Sequence, residues 1–145
     1  MTHADKGRYA AKHAPGMVPE EKIAAAVKTS VKEGKLACAD AERISAELGT
    51  TMADVGRTVD LLEIRINRCQ LGLFGYDGPG GRIVQRDDSV PPEIEKAIRS
   101  RLAGGRLPCA AAWTIAAEGK IPRMKVSSAC EFLKIKIKPC QLGAF

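Results

Sequence analysis

Histidine and aromatic residues are scarce in this chain of 145 residues. The two histidines, His3 and His13, both precede residue 19, and aromatic residues make up only 4% of the sequence. The rest of the chain therefore has no histidine to complete a Ser-His-Asp or Cys-His set, and its carboxylates are scattered. We expect a protein that is not an enzyme and has no catalytic residue.

Long apolar runs and closely spaced cysteine pairs are also missing. No run approaches the roughly 20 residues needed to cross a bilayer, and no apolar signal-peptide core follows Met1. The five cysteines form no Cys-x-x-Cys pair, which disfavours zinc and favours reduced thiols in a cytoplasm. The glycine-rich stretch 77–81 is not followed by Gly-Lys-Ser/Thr, so it is not a P-loop. We expect a cytoplasmic protein without membrane contact, metal or cofactor, and a disulfide or redox switch stays an open alternative.

The chain does contain an internal repeat. When the sequence is shifted by 71 positions, residues 90–145 align with residues 19–74 without a gap, and 19 of the 56 positions are identical. The longest shared stretch is Cys-Gln-Leu-Gly-x-Phe, at 69–74 and 140–145. We interpret this stretch mainly as a structural corner that folds back on a three-helix core. A partner-binding surface or a thiol switch is the alternative.

The repeat divides the chain into four parts. We predict a flexible tail at 1–18, a first unit at 19–85, a linker at 86–90 and a second unit at 91–145. Each unit shows the same order of patterns: helix, short strand, helix, turn, helix and an alternating β segment. In the first unit, residues 73–85 predict a further β-hairpin, which would form a long wing.

Local signals mark the element boundaries. Lys35–Cys38 is too short for a helix and predicts a short strand. Gly49 predicts the end of the second helix, and Thr51 with Asp54 three residues later is typical of a capping box at the start of the third.

The turn between the second and third helices carries a further pattern. In the first repeat Ser45 lets the helices approach, Gly49 takes a left-handed turn, and Val55 anchors the third helix in the core. The corresponding residues of the second repeat are Ala116, Lys120 and Val126, which lack the glycine. These residues and the order of elements resemble the winged helix-turn-helix superfamily. The resemblance implies a mainly α fold with small β, in which each repeat is a three-helix core plus a short β-hairpin.

The charge of the chain is concentrated in the second repeat. Residues 89–145 carry ten Lys and Arg against four Asp and Glu, which gives +6, whereas residues 19–88 carry ten against twelve, which gives −2. A basic half suits a polyanion such as nucleic acid, although ordinary solvated lysines give the same composition.

The resemblance implies a DNA-binding transcriptional regulator that contacts double-stranded DNA through its third helices and wing, and we expect it to be a homodimer. The alternative is a non-enzymatic protein–protein interaction adaptor, since many winged helices dock proteins. Arginine and lysine reach phosphates or guanine edges, and hydroxyl groups donate to phosphates. The predicted DNA contacts are Arg57, Thr58, Arg82, Lys120, Arg123, Lys125, Ser127 and Ser128.

Overall fold

The computed structural model describes residues 9–14 and 16–145, and these residues are mainly helical with a small β-sheet, as predicted. The helices are α1 (Glu21–Ser30), α2 (Cys38–Leu48), α3 (Met52–Leu61), α4 (Pro92–Arg99), α5 (Cys109–Gly119) and α6 (Arg123–Leu133). The strands are β1 (Lys35–Ala37) and β2 (Arg65–Asn67), and short 3₁₀ helices cover Tyr9–Lys12 and Pro79–Gly81. His3 and the rest of the predicted tail at 1–8 and 15 lie outside the described residues.

The chain forms two compact units whose boundaries differ from those of the sequence repeat. The first unit combines the chain up to Cys69 with Gln141–Phe145, and the second runs from Gln70 to Cys140. Residues 70–85, predicted in the first unit, and the predicted linker 86–90 therefore belong to the second unit. Each Gln-Leu-Gly stretch thus lies in the unit that contains the third helix of the other repeat.

The repeat is confirmed in the backbone and the core. Five pairs of residues 71 positions apart have positive φ angles in both members: Glu33 and Gly104, Gly34 and Gly105, Gly49 and Lys120, Glu63 and Lys134, Gly72 and Gly143. Buried core residues recur at the same offset: Val27 and Ile98, Leu36 and Leu107, Ala41 and Ala112, Ile44 and Ile115, Val55 and Val126, Ile66 and Ile137. The two repeats therefore share the same turn conformations and the same pattern of buried residues.

The strands pair in parallel and do not form a hairpin. Strand β1 runs parallel to β2 with Leu36 opposite Ile66, and Leu107 makes the equivalent parallel bridge to Ile137 in the second unit. This arrangement confirms the short strand predicted after the first helix. It differs from the β-hairpin of the predicted three-helix-plus-hairpin unit, because the chain passes through two helices between the paired strands.

The wing predicted at 73–85 does not form in the described chain. Residues 73–85 contain no strand, and a 3₁₀ turn occupies Pro79–Gly81. The backbone N–H groups of Ile83 and Val84 both donate to the carbonyl of Gly72, at 3.0 and 3.1 Å. The Tyr76 N–H also donates to the Gly81 carbonyl at 3.1 Å, so the segment is held by isolated turn hydrogen bonds and not by a ladder between strands.

The turn between the second and third helices has the predicted geometry in both units. Gly49 ends α2 in the left-handed conformation, and the Thr51 hydroxyl accepts a 3.0 Å hydrogen bond from the Asp54 N–H at the start of α3. Lys120 takes the position of Gly49 with φ 53° and ψ 44°. The missing glycine therefore leaves the second turn unchanged, at the cost of a strained backbone at Lys120.

Part of the segment predicted as a flexible tail is packed on the first unit. Tyr9 is buried, and the backbone N–H groups of Tyr9 and Ala10 donate to the Glu63 carboxylate at 2.9 and 2.8 Å. The Asp60 carboxylate binds the Lys12 ammonium at 3.0 Å and the His13 ring at 2.9 Å. These contacts fix residues 9–13 at the carboxyl end of α3.

Gly56 in α3 allows a very close approach of backbone within the first unit. A Cβ atom at this position would lie 2.7 Å from the carbonyl carbon and 2.8 Å from the Cα of Leu142. Contacts below 3.0 Å require the neighbour to shift, and this neighbour is backbone. Gly56 is therefore the residue that admits the segment Gln141–Phe145 against α3.

We expect Gly56→Ala to destabilise the first unit although alanine favours helices. Helix propensity alone gains about 1 kcal/mol, but the clash with Leu142 costs about 1–3 kcal/mol or displaces the segment. The matched control is Gly119→Ala in α5, where the nearest atoms lie 3.8 Å away and where we expect unchanged or slightly higher stability. Urea unfolding of both variants measures the difference, and equal stabilisation by both would contradict the close approach.

We expect the left-handed turns to respond in opposite directions to substitution. Gly49→Ala places a Cβ in the left-handed region and lowers the free energy of unfolding by about 1–2 kcal/mol, whereas Lys120→Gly relieves that strain and raises it by up to about 1 kcal/mol. Thermal unfolding of the two variants checks both signs. A loss of stability in Lys120→Gly would show that the lysine side chain contributes more than its backbone strain costs.

Candidate nucleic-acid interface

Helix α3 offers little of the surface predicted to contact DNA. Thr58 is 1% exposed, and its hydroxyl donates to the Asp54 carbonyl at 2.9 Å. The prediction that Thr58 faces outward is therefore wrong, because Thr58 lies on the same buried face of α3 as Val55 and Val59. Arg57 is half exposed, but its guanidinium is paired with the Asp54 carboxylate at 2.9 Å.

The charge of Asp54 opposes an anionic ligand at the start of α3. Hydrogen bonds from Thr51 and then Thr50, with a smaller contribution from Arg57, hold the pKa of Asp54 below its ordinary value. The group is thus a carboxylate throughout the neutral range. It neutralises Arg57 and repels a phosphate approaching this turn.

Helix α6 carries the predicted cations, but two of them are already engaged within the second unit. The Arg123 guanidinium lies 3.7 Å from the ring centroid of Trp113 and donates to the Gln70 side chain at 2.8 Å. The Lys125 ammonium is paired with the Asp87 carboxylate at 2.9 Å. A phosphate reaching either cation must compete with these partners.

The two serines predicted on α6 differ in exposure. Ser127 is fully buried, and its hydroxyl has no hydrogen-bond partner among the described residues. The prediction that Ser127 faces outward is therefore wrong. Ser128 is partly exposed, and its carbonyl accepts the Asp87 N–H at 3.2 Å, so the acidic residue lies beside it.

Arg82 does not belong to a wing but packs against α6. Its guanidinium is paired with the Glu131 carboxylate, and nearby Arg86 lies 5.3 Å from the ring of Phe132. Together with Gln70 and Asp87, these residues follow α6 for most of its length. Residues 70–87 therefore cover the helix that was predicted to enter a DNA groove.

Lys120 alone among the predicted cations is exposed and makes no ion pair within the part of the chain that the structure describes. It lies in the turn before α6, and its position is set by the left-handed backbone. One exposed lysine is an ordinary solvated side chain, so it carries little weight by itself.

The structure reveals a second group of cations that the sequence reasoning did not select. Lys134 ends α6 in a left-handed turn, and the chain that follows forms a bridge at Ile137, which is buried, whereas Lys134, Lys136 and Lys138 are exposed. Leu107 and Ile137 form the parallel bridge, through hydrogen bonds of Leu107 N–H to the Lys136 carbonyl at 3.0 Å and Lys138 N–H to the Leu107 carbonyl at 2.9 Å.

Arg106 joins this group from the neighbouring strand. In the first unit the register places Lys35 beside Arg65, and the same offset places exposed Arg106 beside Lys136. We call Arg106, Lys134, Lys136 and Lys138 the basic row. None of the four forms an ion pair across residues 9–14 and 16–145. The alternation of lysine and isoleucine at 134–138 was the signal that could have identified them.

The equivalent positions of the first unit do not form such a row. They are Lys35, Glu63, Arg65 and Asn67, with one net positive charge. The Glu63 carboxylate is also occupied by the backbone of Tyr9 and Ala10. The basic row is therefore a property of the second repeat only.

The cysteines are mostly buried, with only Cys140 of intermediate exposure. All five cysteines are present as thiols, and burial, with a smaller effect of Glu131, raises the pKa of Cys130 to about 12. Such a thiol stays protonated and is a poor nucleophile. Within the described ranges, no three His, Cys, Asp or Glu side chains are grouped to hold a metal ion. The described helices are also too short or too polar for any of them to cross a membrane.

Comparisons with known proteins do not assign this arrangement to a family. No protein-family model, no curated protein and no solved structure matches the chain.

Proposed function

We propose that the chain is a non-enzymatic protein that binds double-stranded DNA through the phosphate backbone. In this proposal its two units are tandem helix-turn-helix domains of the winged-helix type, with a parallel strand pair where a hairpin would lie. The observation that supports it is the basic row, four exposed cations at and beside the parallel Leu107–Ile137 bridge, which have no carboxylate partner among the described residues. Cations of this kind contact phosphates and release counterions from DNA.

The mode of binding differs from a groove-reading helix. Residues 70–87 cover α6, and Asp54 neutralises Arg57 on α3. Base readout needs side chains that reach the base edges, and phosphate contacts do not. The proposed contact is therefore made mainly with the DNA backbone and has little sequence preference by itself. A role in transcription regulation would need sequence preference from DNA shape or from a partner.

The covered third helices also support a second candidate function, a protein-interaction adaptor. In each unit the third helix accepts a Gln-Leu-Gly segment, and in the first unit Leu142 is 3% exposed and Ala144 is 8% exposed. A surface that holds a short segment of chain by one buried leucine at a turn offers the kind of pocket in which peptide-binding proteins anchor a side chain. The two candidates use different residues, so they can be separated by mutation.

We expect the triple variant Lys134→Gln, Lys136→Gln, Lys138→Gln to lose most of the DNA affinity at low salt. Each lost phosphate contact makes the slope of log affinity against log salt less steep by about 0.9, so the slope changes by up to about 3. Fluorescence anisotropy with a labelled mixed-sequence duplex across a salt series measures both quantities.

The control is Lys22→Gln, Lys28→Gln, Lys32→Gln, which removes the same charge from exposed positions of the first unit. Equal losses in both triple variants would show a general charge effect and would contradict the basic row. The double variant Arg123→Ala, Lys125→Ala should weaken binding less than the Lys134, Lys136 and Lys138 triple variant. A larger loss in the double variant would make α6 the interface, and undetectable binding of the unmodified chain at low salt would reject the proposal.

A further inference from the structure

Equivalent segments are exchanged between the two units. Gln70–Gly72 follows the β2 strand of the first repeat but is part of the second unit, and Gln141–Phe145 follows the corresponding strand of the second repeat but is part of the first unit. Gly72 and Gly143 share a positive φ, 74° and 77°, and Leu71 and Leu142 are both buried. This is the relation found in domain swapping, here within one chain.

The first unit holds its segment by contacts that a foreign segment of the same sequence would satisfy equally well. Leu142 lies against Gly56, where the absence of a side chain admits its backbone. The Lys12 ammonium donates to the Gly143 carbonyl at 3.1 Å. Tyr9, Ile64 and Ala144 line the same small cavity. The contacts depend on the segment and not on the chain that supplies it.

The connection that delivers the segment is short. The Pro139 carbonyl is held in the second unit by the Cys109 N–H at 3.0 Å, and Leu142 is already buried in the first unit. Only Cys140 and Gln141 lie between these two anchored residues. Short connections between packed parts of a chain favour exchange between molecules.

We propose that the α3 surface of the first unit is a docking site for the Gln141–Phe145 segment of a second copy of this chain. A second copy of the chain is the partner that fits this site, because it carries the same segment. Every contact that the segment makes within one molecule can form between two molecules. The intramolecular segment has an effective concentration on the order of millimolar for a short connection. Exchange is therefore favoured where the chain is concentrated or where the intramolecular contact is broken.

Two full-length variants test this by complementation. Gly56→Ala blocks the site and keeps the segment, and Leu142→Asp disables the segment and keeps the site. Each alone should stay monomeric, whereas an equimolar mixture should contain a heterodimer of about twice the 15.5 kDa of one chain. Native mass spectrometry identifies it, because the two variants differ in mass. The control mixture pairs Gly56→Ala with the double variant Gly56→Ala, Leu142→Asp, which offers no open site.

A mixture with no more heterodimer than this control, from variants that circular dichroism shows to be folded, overturns the proposal. If Leu142→Asp does not fold, the milder Leu142→Ala takes its place. A labelled synthetic peptide of residues 138–145 provides an independent measurement: it should bind the Leu142 variant and not Gly56→Ala. Absence of peptide binding overturns the docking site, and peptide binding without heterodimer overturns the second copy as its occupant. Neither outcome depends on whether the chain binds DNA.

Discussion

The approach of the Leu142 backbone to Gly56 is the constraint on which the arrangement of the first unit depends. Only a residue without Cβ leaves room there, since a Cβ would lie 2.8 Å from the Leu142 Cα. The contact buries one leucine, worth about 2 kcal/mol, and this is a large share of the stability of a domain this small. In the second unit Leu71 is buried equally, and Gly72 lies against Met124 of α6. In both units the third helix therefore serves as packing surface on two sides, which leaves little of it to read DNA.

The predictions that succeeded concern elements set by neighbouring residues, and those that failed concern burial on the third helices. The short strand β1, the Thr51 cap and the turn at Gly49 depend on neighbouring residues, and they were predictable from local chemistry. Thr58 lies three residues after Val55 and next to Val59, on the buried stripe of α3 itself, so helical spacing alone places it in the core. Ser127 aligns in the repeat with Gly56, which lies on the side of α3 that Leu142 contacts, and this second buried side has no signal in the local sequence. The shared Cys-Gln-Leu-Gly-x-Phe stretch was interpreted as a corner that folds back on a three-helix core. The sequence does not state which of the two cores it meets, because Gln-Leu-Gly is identical at 70–72 and 141–143.

The two units also show where the repeat has diverged. At the positions equivalent to the basic row, the first unit carries Lys35, Glu63, Arg65 and Asn67. The Glu63 carboxylate accepts hydrogen bonds from the backbone of Tyr9 and Ala10. The second unit carries four cations there. Around α6, by contrast, Asp87 pairs with Lys125 of the helix, and Glu131 of the helix pairs with Arg82. An exposed ion pair contributes at most about 1 kcal/mol to stability. These pairs therefore offset the positive charge of the cations but hold their side chains only weakly. The basic row differs from these cations because, among the described residues, no carboxylate pairs with any of its four members.

The segment exchange and the basic row rest on different residues, yet they would reinforce each other. A single row of four cations supplies at most a few phosphate contacts, and an interaction of that size is weakened strongly by physiological salt. Two chains joined through Gln141–Phe145 would carry two rows in one particle. Binding of the second row would then be intramolecular, and the overall affinity would rise without any new contact, provided that both rows reach the same duplex. Dimerisation by exchange would in this way convert a weak, salt-sensitive backbone contact into one that depends on the concentration of the chain itself.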